Sequence, residues 1–159
     1  MSDEPRVVGT LASQLQAFHK IIPHNRALGL EILTTTDGRA HVRLPYRPEF
    51  VGDPHTGVLH GGVITSLLDA TFGLSAFMAL PRPVSIATLD LRIDYLRPAT
   101  PGATVHARGE CYRLTRSVAF VRGIAYHDDE DSPIASGAAT FMLANRPRRD
   151  ARATGEVQP

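Results

Sequence analysis

HTGVLHGGVITSLLDATFGLSAFMAL, residues 55–80, decides how the rest of the chain must fold. Val63, Ile64, Leu67, Leu68, Phe72, Leu74, Phe77 and Met78 recur at helical spacing, and the faces between them carry almost only Ala, Gly, Ser and Thr. A helix that is apolar or small nearly all round is expected to be buried on every side. Gly61-Gly62 before it and Pro81 after it punctuate it too closely for a membrane span. One charge interrupts it, Asp69. A buried carboxylate without a partner costs several kcal/mol or changes its protonation, so Asp69 needs a structural partner or a chemical task.

Upstream, residues 46–58 hold Pro and Gly without periodicity and read as a loop. Before it, Leu28–Thr35 and Arg39–Pro45 read as two strands joined at Thr36-Asp37-Gly38, a hairpin signal. Residues 7–22 place Val8, Leu11, Leu15, Phe18, Ile21 and Ile22 on one face of a helix that Pro23 is expected to end. Downstream, Ala87, Leu89, Leu91, Ile93 and Tyr95 alternate with Thr88, Asp90, Arg92 and Asp94, which predicts a half-buried antiparallel strand. Val105–Cys111, Val118–His127 and Ile134–Leu143 follow as further strands, separated by Pro-, Gly- and Asp-containing turns. Residues 145–159 are polar and Arg-rich and read as a frayed tail.

The 159 residues suit one domain, 1–144, with the tail outside it. A net charge of +1 argues against general nucleic-acid binding. The single cysteine, Cys111, excludes an internal disulfide and a cysteine-based zinc site, and it reads as core. The first ten residues have no long apolar core, so no secretory signal is expected and the cytoplasm is the default compartment. Helix, hairpin, buried helix and then several antiparallel strands define an α+β class in which a sheet curls around one helix.

Gly57, His60-Gly61-Gly62 and Asp69, nine residues after the histidine, form a pattern that resembles the PaaI-type hotdog-fold acyl-CoA thioesterases. Asp94-Tyr95-Leu96-Arg97-Pro98-Ala99 and Ala138-Ala139-Thr140-Phe141 are similar to that family too, and the likeness spans roughly residues 27–143. It implies a hotdog fold, an acyl-CoA substrate, no cofactor and a homodimer or homotetramer.

Helix geometry constrains any chemistry that uses both motif ends. Gly61 and Asp69 are eight positions apart, about 12 Å along a helix axis. A reacting carbonyl must lie within about 3 Å of its oxyanion donor and its attacking group. If both residues act, the Gly61 end must meet Asp69 of another chain, with two central helices antiparallel across a two-fold axis. The Gly61 N–H at a helix N-terminus suits a developing oxyanion; its plainer reading is a tight turn. Asp69 suits a nucleophile or a general base on water. His60 either positions the thioester or caps the helix.

The resemblance implies more for the residues around them. Relatives often place Asn or Gln where this chain has Pro54, which offers no donor; His55 beside it is the candidate substitute. Thr88 matches a Ser or Thr near the attacking water, and Arg116 a basic turn that would bind coenzyme A phosphates. Gly62, Val58, Leu59 and Phe72 are expected to line the substrate tunnel. No G-x-S-x-G, P-loop or dinucleotide fingerprint is present, and His55, His60 and Asp53 match no standard zinc spacing. Two other functions remain open: an acyl-CoA-binding module without turnover, favoured by Pro54, and a hydratase or dehydratase, for which no acid–histidine motif is apparent.

Overall fold

The computed structural model describes residues 22–144. The helix expected over 7–22, apart from its last residue, and the stretch 145–159 lie outside the described residues. Pro23 starts a helix rather than only ending one: α1 runs Pro23–Leu28 with the proline in its first turn, where a missing N–H costs nothing. Gly29 closes α1 in a left-handed conformation, φ 66°.

The hairpin follows as its turn chemistry demands. β1 (Glu31–Thr36) and β2 (Arg39–Leu44) are joined by Asp37-Gly38, both at positive φ. Residues 46–58 are not all loop: they contain a short 3-10 turn at Pro48–Phe50 and most of a small ribbon, β3 (Val51–Asp53) with β4 (Val58–Leu59). Then come the central helix α2 (Gly61–Met78) and the strands β5 (Ile86–Tyr95), β6 (Val105–Leu114), β7 (Val118–Tyr126) and β8 (Ala135–Leu143). The main sheet has the order β1-β2-β6-β7-β8-β5 and is antiparallel throughout.

α2 is long and apolar enough to cross a bilayer by length and composition alone, but it lies against the sheet, packed on β2, β5, β6 and β7. The approach is close because the sheet gives up side chains beneath one ring. Gly109, Gly123 and Gly137 pair in a row across β6, β7 and β8, and Phe72 of α2 is fully buried above them. A Cβ on Gly109 would lie 3.0 Å from the Phe72 ring, one on Gly123 2.5 Å and one on Gly137 3.2 Å. Burying the ring contributes about 2–3 kcal/mol.

Two expectations change here. Phe72 does not line a substrate tunnel, because its ring is spent on this contact. Nor is α2 buried on every side within one chain: Val63, Thr65, Ser66, Asp69 and Ala70 keep partial exposure.

Candidate active site

The acid lies on the open side of α2. Asp69 is half-buried and borders a groove of about 1350 Å³ between α2, the loop after it, β5 and the β6–β7 turn. Its Oδ1 accepts a hydrogen bond of 3.0 Å from the Thr88 hydroxyl. Among the described residues no arginine, lysine or histidine forms an ion pair with it.

The Asp69–Thr88 contact depends on an irregularity that strict alternation hides. β5 pairs with β8 in one register up to Thr88↔Phe141 and in another from Asp90↔Thr140. Residues directly opposite share a face. Thr88 therefore lies on the same side as buried Phe141, and Leu91 on the side of buried Ala139. Leu89 is the extra residue of this β-bulge and is thrown outward, 56% exposed. The expected burial of Ala87 and Leu89 is thus corrected, and Thr88 turns toward the helix instead of standing on an outer polar face.

The other end of α2 borders a second, smaller hollow of about 380 Å³, lined by Val58, Leu59, Gly61, Ile64, Tyr95 and Arg97 among others. Val58 and Leu59 therefore stand with Gly61, not with Asp69. Gly61 is the first residue of α2, and its N–H has no acceptor within the helix. The helix dipole adds partial positive charge at this end. His60 is the N-cap: its Nδ1 accepts from the Gly62 N–H at 2.9 Å. That bond leaves the ring proton on Nε2.

Tyr95 braces the same turn. Its hydroxyl donates to the Gly61 carbonyl at 2.6 Å and meets the Thr65 hydroxyl at 2.7 Å. A Cβ on Gly61 would lie 3.3 Å from that hydroxyl oxygen, so the residue is small where tyrosine crosses it. One strand, β5, thus holds the first turn of the helix through Tyr95 and its middle through Thr88. The sequence sets Tyr95 in the family-like stretch Asp94–Ala99 but gives it no task at Gly61, 34 residues away.

The remaining candidates are spread out. Arg116 borders the Asp69 groove, as does Arg82, which no motif of the sequence marks. His55 is exposed and borders neither hollow. Its N–H donates to Asp53 Oδ1 in an Asx turn, and the Thr56 hydroxyl, then the His55 amide, hold the Asp53 carboxyl below the usual range. Arg122, a further arginine of the sheet, lies on the outer face against Glu110 and the Tyr112 ring and does not border the groove. Burial pushes the Cys111 thiol up, as suits a core residue.

An antiparallel sheet curled around one helix, with an acid at mid-helix and a glycine-rich N-terminus, defines a hotdog-fold thioesterase class. The thioesterase superfamily model matches residues 56–134. The chain is 34% identical over 146 residues to the medium/long-chain acyl-CoA thioesterase YigI of Escherichia coli, covering 84% of this chain and 92% of that protein. A solved structure from Pseudomonas aeruginosa shares 44% identity with a TM-score of 0.72, covering 79% of this chain and 93% of the other. A variant of the phenylacetic acid degradation protein PaaI from Thermus thermophilus shares 32%, with a TM-score of 0.66 and coverage of 76% and 97%. The chain belongs to the thioesterase superfamily, as a PaaI-like hotdog enzyme.

Proposed function

We propose that the protein hydrolyses acyl-CoA thioesters to a free acid and coenzyme A, in the cytoplasm and without a cofactor. The observation that carries this is Asp69: a carboxylate bordering an otherwise largely apolar groove, held by a threonine hydroxyl and not spent on an ion pair among the described residues. Similarity to an acyl-CoA thioesterase over most of both chains supports it.

The Gly61 N–H of one subunit polarises the thioester carbonyl, and Asp69 of the next attacks that carbon or removes a proton from the water that does. Addition gives a tetrahedral oxyanion at the helix N-terminus. Collapse expels the coenzyme A thiolate, which takes up a proton. Where water adds, the free acid forms at once; where Asp69 adds, the acyl group is left on its carboxylate as an anhydride, which water then cleaves to the acid and restored Asp69. Thr88 fixes the Asp69 carboxylate, and His60 with Tyr95 fixes the first turn. Arg116, exposed at the groove's rim, is placed for a coenzyme A phosphate.

Two features support a shared site in a homodimer or homotetramer. The two ends of the site lie about 12 Å apart on one helix. β5 is a sheet edge ten residues long with exposed Leu89 and Tyr95, an edge that invites pairing.

The test is thiol release from a panel of acyl-CoA esters. Asp69→Asn should lower kcat by about a hundredfold or more; full activity in the variant removes Asp69 from the mechanism. Gly61→Pro deletes the amide at a position where proline suits a helix, and its Cβ presses on the Tyr95 hydroxyl, so Gly61→Ala, which keeps the amide, is the control for that contact. Mixing the two inactive variants should restore turnover if sites are shared between subunits, because each mixed pair then holds one intact site. No restoration in co-expressed mixed oligomers overturns the shared site.

A further inference from the structure

The Asp69 groove follows a single stripe of α2. Asp69, Gly73 and Phe77 succeed one another at intervals of four, with Ala70 beside them. From Asp69 to Phe77 the stripe runs about 12 Å. Its facing wall is apolar, made by Ile86, Phe141 and Leu143. The cationic groups Arg82 and Arg116 are exposed at the rim. Floor and rim therefore suit different parts of one substrate: hydrocarbon below, phosphates above.

Gly73 stands mid-floor, and packing does not demand a glycine there. Its backbone is ordinary helix, with no positive φ. An added Cβ would meet Phe141 at 3.6 Å and Ile86 at 4.0 Å, normal van der Waals separations. A glycine in a helix interior is otherwise a disadvantage, since alanine is the better helix former. What the missing side chain leaves behind is depth in the groove.

We infer that Gly73 sets the length of acyl chain the enzyme accepts, keeping open the floor on which the chain lies as it runs from Asp69 toward Phe77. An extended chain advances about 1.25 Å per carbon, given C–C bonds near 1.5 Å, so the stripe matches about ten carbons. The substrate class is a straight medium or longer acyl group, and the methylenes past the middle of the stripe are the ones a side chain at 73 would displace. This rests on the proposed acyl-CoA hydrolysis.

The experiment compares kcat/KM for butanoyl-, octanoyl-, dodecanoyl- and hexadecanoyl-CoA in wild type, Gly73→Ala and Gly73→Leu, with inhibition by free coenzyme A measured in each. Displacing a methylene from an apolar pocket is worth about tenfold or more. The ratio of dodecanoyl to butanoyl kcat/KM should fall about tenfold or more in Gly73→Leu, and by less in Gly73→Ala, with inhibition by coenzyme A unchanged. Gly73→Ala, which the helix favours, keeps the test open should the leucine variant fold poorly. A uniform loss at all lengths with weakened coenzyme A inhibition assigns the groove to the coenzyme arm and overturns the inference. So does an unchanged length profile. Wild type that cleaves no acyl-CoA overturns the proposed function itself, and the inference with it.

Discussion

Phe72 and Gly73 are neighbours in sequence and stand on opposite sides of a balance. On the Phe72 side three glycines from three strands clear space for one ring, and a methyl group on any of them would crowd it. On the Gly73 side the glycine belongs to the helix, and space for a methyl group is already there. The first side is full because the fold needs it; the second is empty although the fold does not. A glycine in a core position thus carries no fixed meaning. Its meaning is set by what an added carbon would touch.

Gly123→Ala is expected to have the largest effect. Its Cβ would overlap the Arg108 carbonyl oxygen as well as the Phe72 ring, so denaturant unfolding should show a loss of at least about 3 kcal/mol or no folded protein. Gly73→Ala should move stability the other way, by up to about 1 kcal/mol. Equal losses in the two variants would break the contrast.

Tyr95→Phe keeps the ring over Gly61 and removes the bond to its carbonyl. About 1 kcal/mol of positioning corresponds to roughly a fivefold drop in kcat, with KM near wild type. An unchanged kcat would leave Tyr95 a packing residue only.

The smallest effect concerns acid. On the outer sheet face His41 Nε2 meets His106 Nδ1 at 3.1 Å and the Tyr126 hydroxyl at 3.2 Å. Burial first, then Arg108 and His106, hold His41 below the ordinary imidazole range; burial first, then Arg43, does so for His106. The unfolded chain takes up protons at these rings near pH 6.5, where the folded chain resists. Their contribution to stability is therefore complete above about pH 6.5 and is lost as pH falls through the lower folded-state values. His41→Gln should flatten the fall of Tm on acidification while thiol release follows the wild-type pH profile. A parallel shift in both profiles would tie the outer face to the groove.

Much of this architecture was legible in the residues. The Asp37-Gly38 hairpin, the punctuated apolar helix and the alternating strands declare themselves through local chemistry, and so does the isolated carboxylate at 69. Other features depend on distant partners. Nothing local to Phe72 says that glycines 37, 51 and 65 residues away will meet it, so it looked like tunnel lining. Pro23 carries opposite signals, ending one helix or opening the next, and the pattern behind it favoured the former. Tyr95 lies in the family-like stretch Asp94–Ala99, but its brace on Gly61 is a tertiary contact that the stretch does not declare.

The extra residue at Leu89 changes what a strand can be asked to do. Odd and even positions of a regular strand are bound to opposite sides, so a single phase must serve either grease or chemistry. With one residue counted out, the segment before Leu89 and the segment after it run in different phases. A hydroxyl at 88 and hydrocarbon at 91 and 93 can then look the same way, and the same strand serves the acid and the core without conceding either.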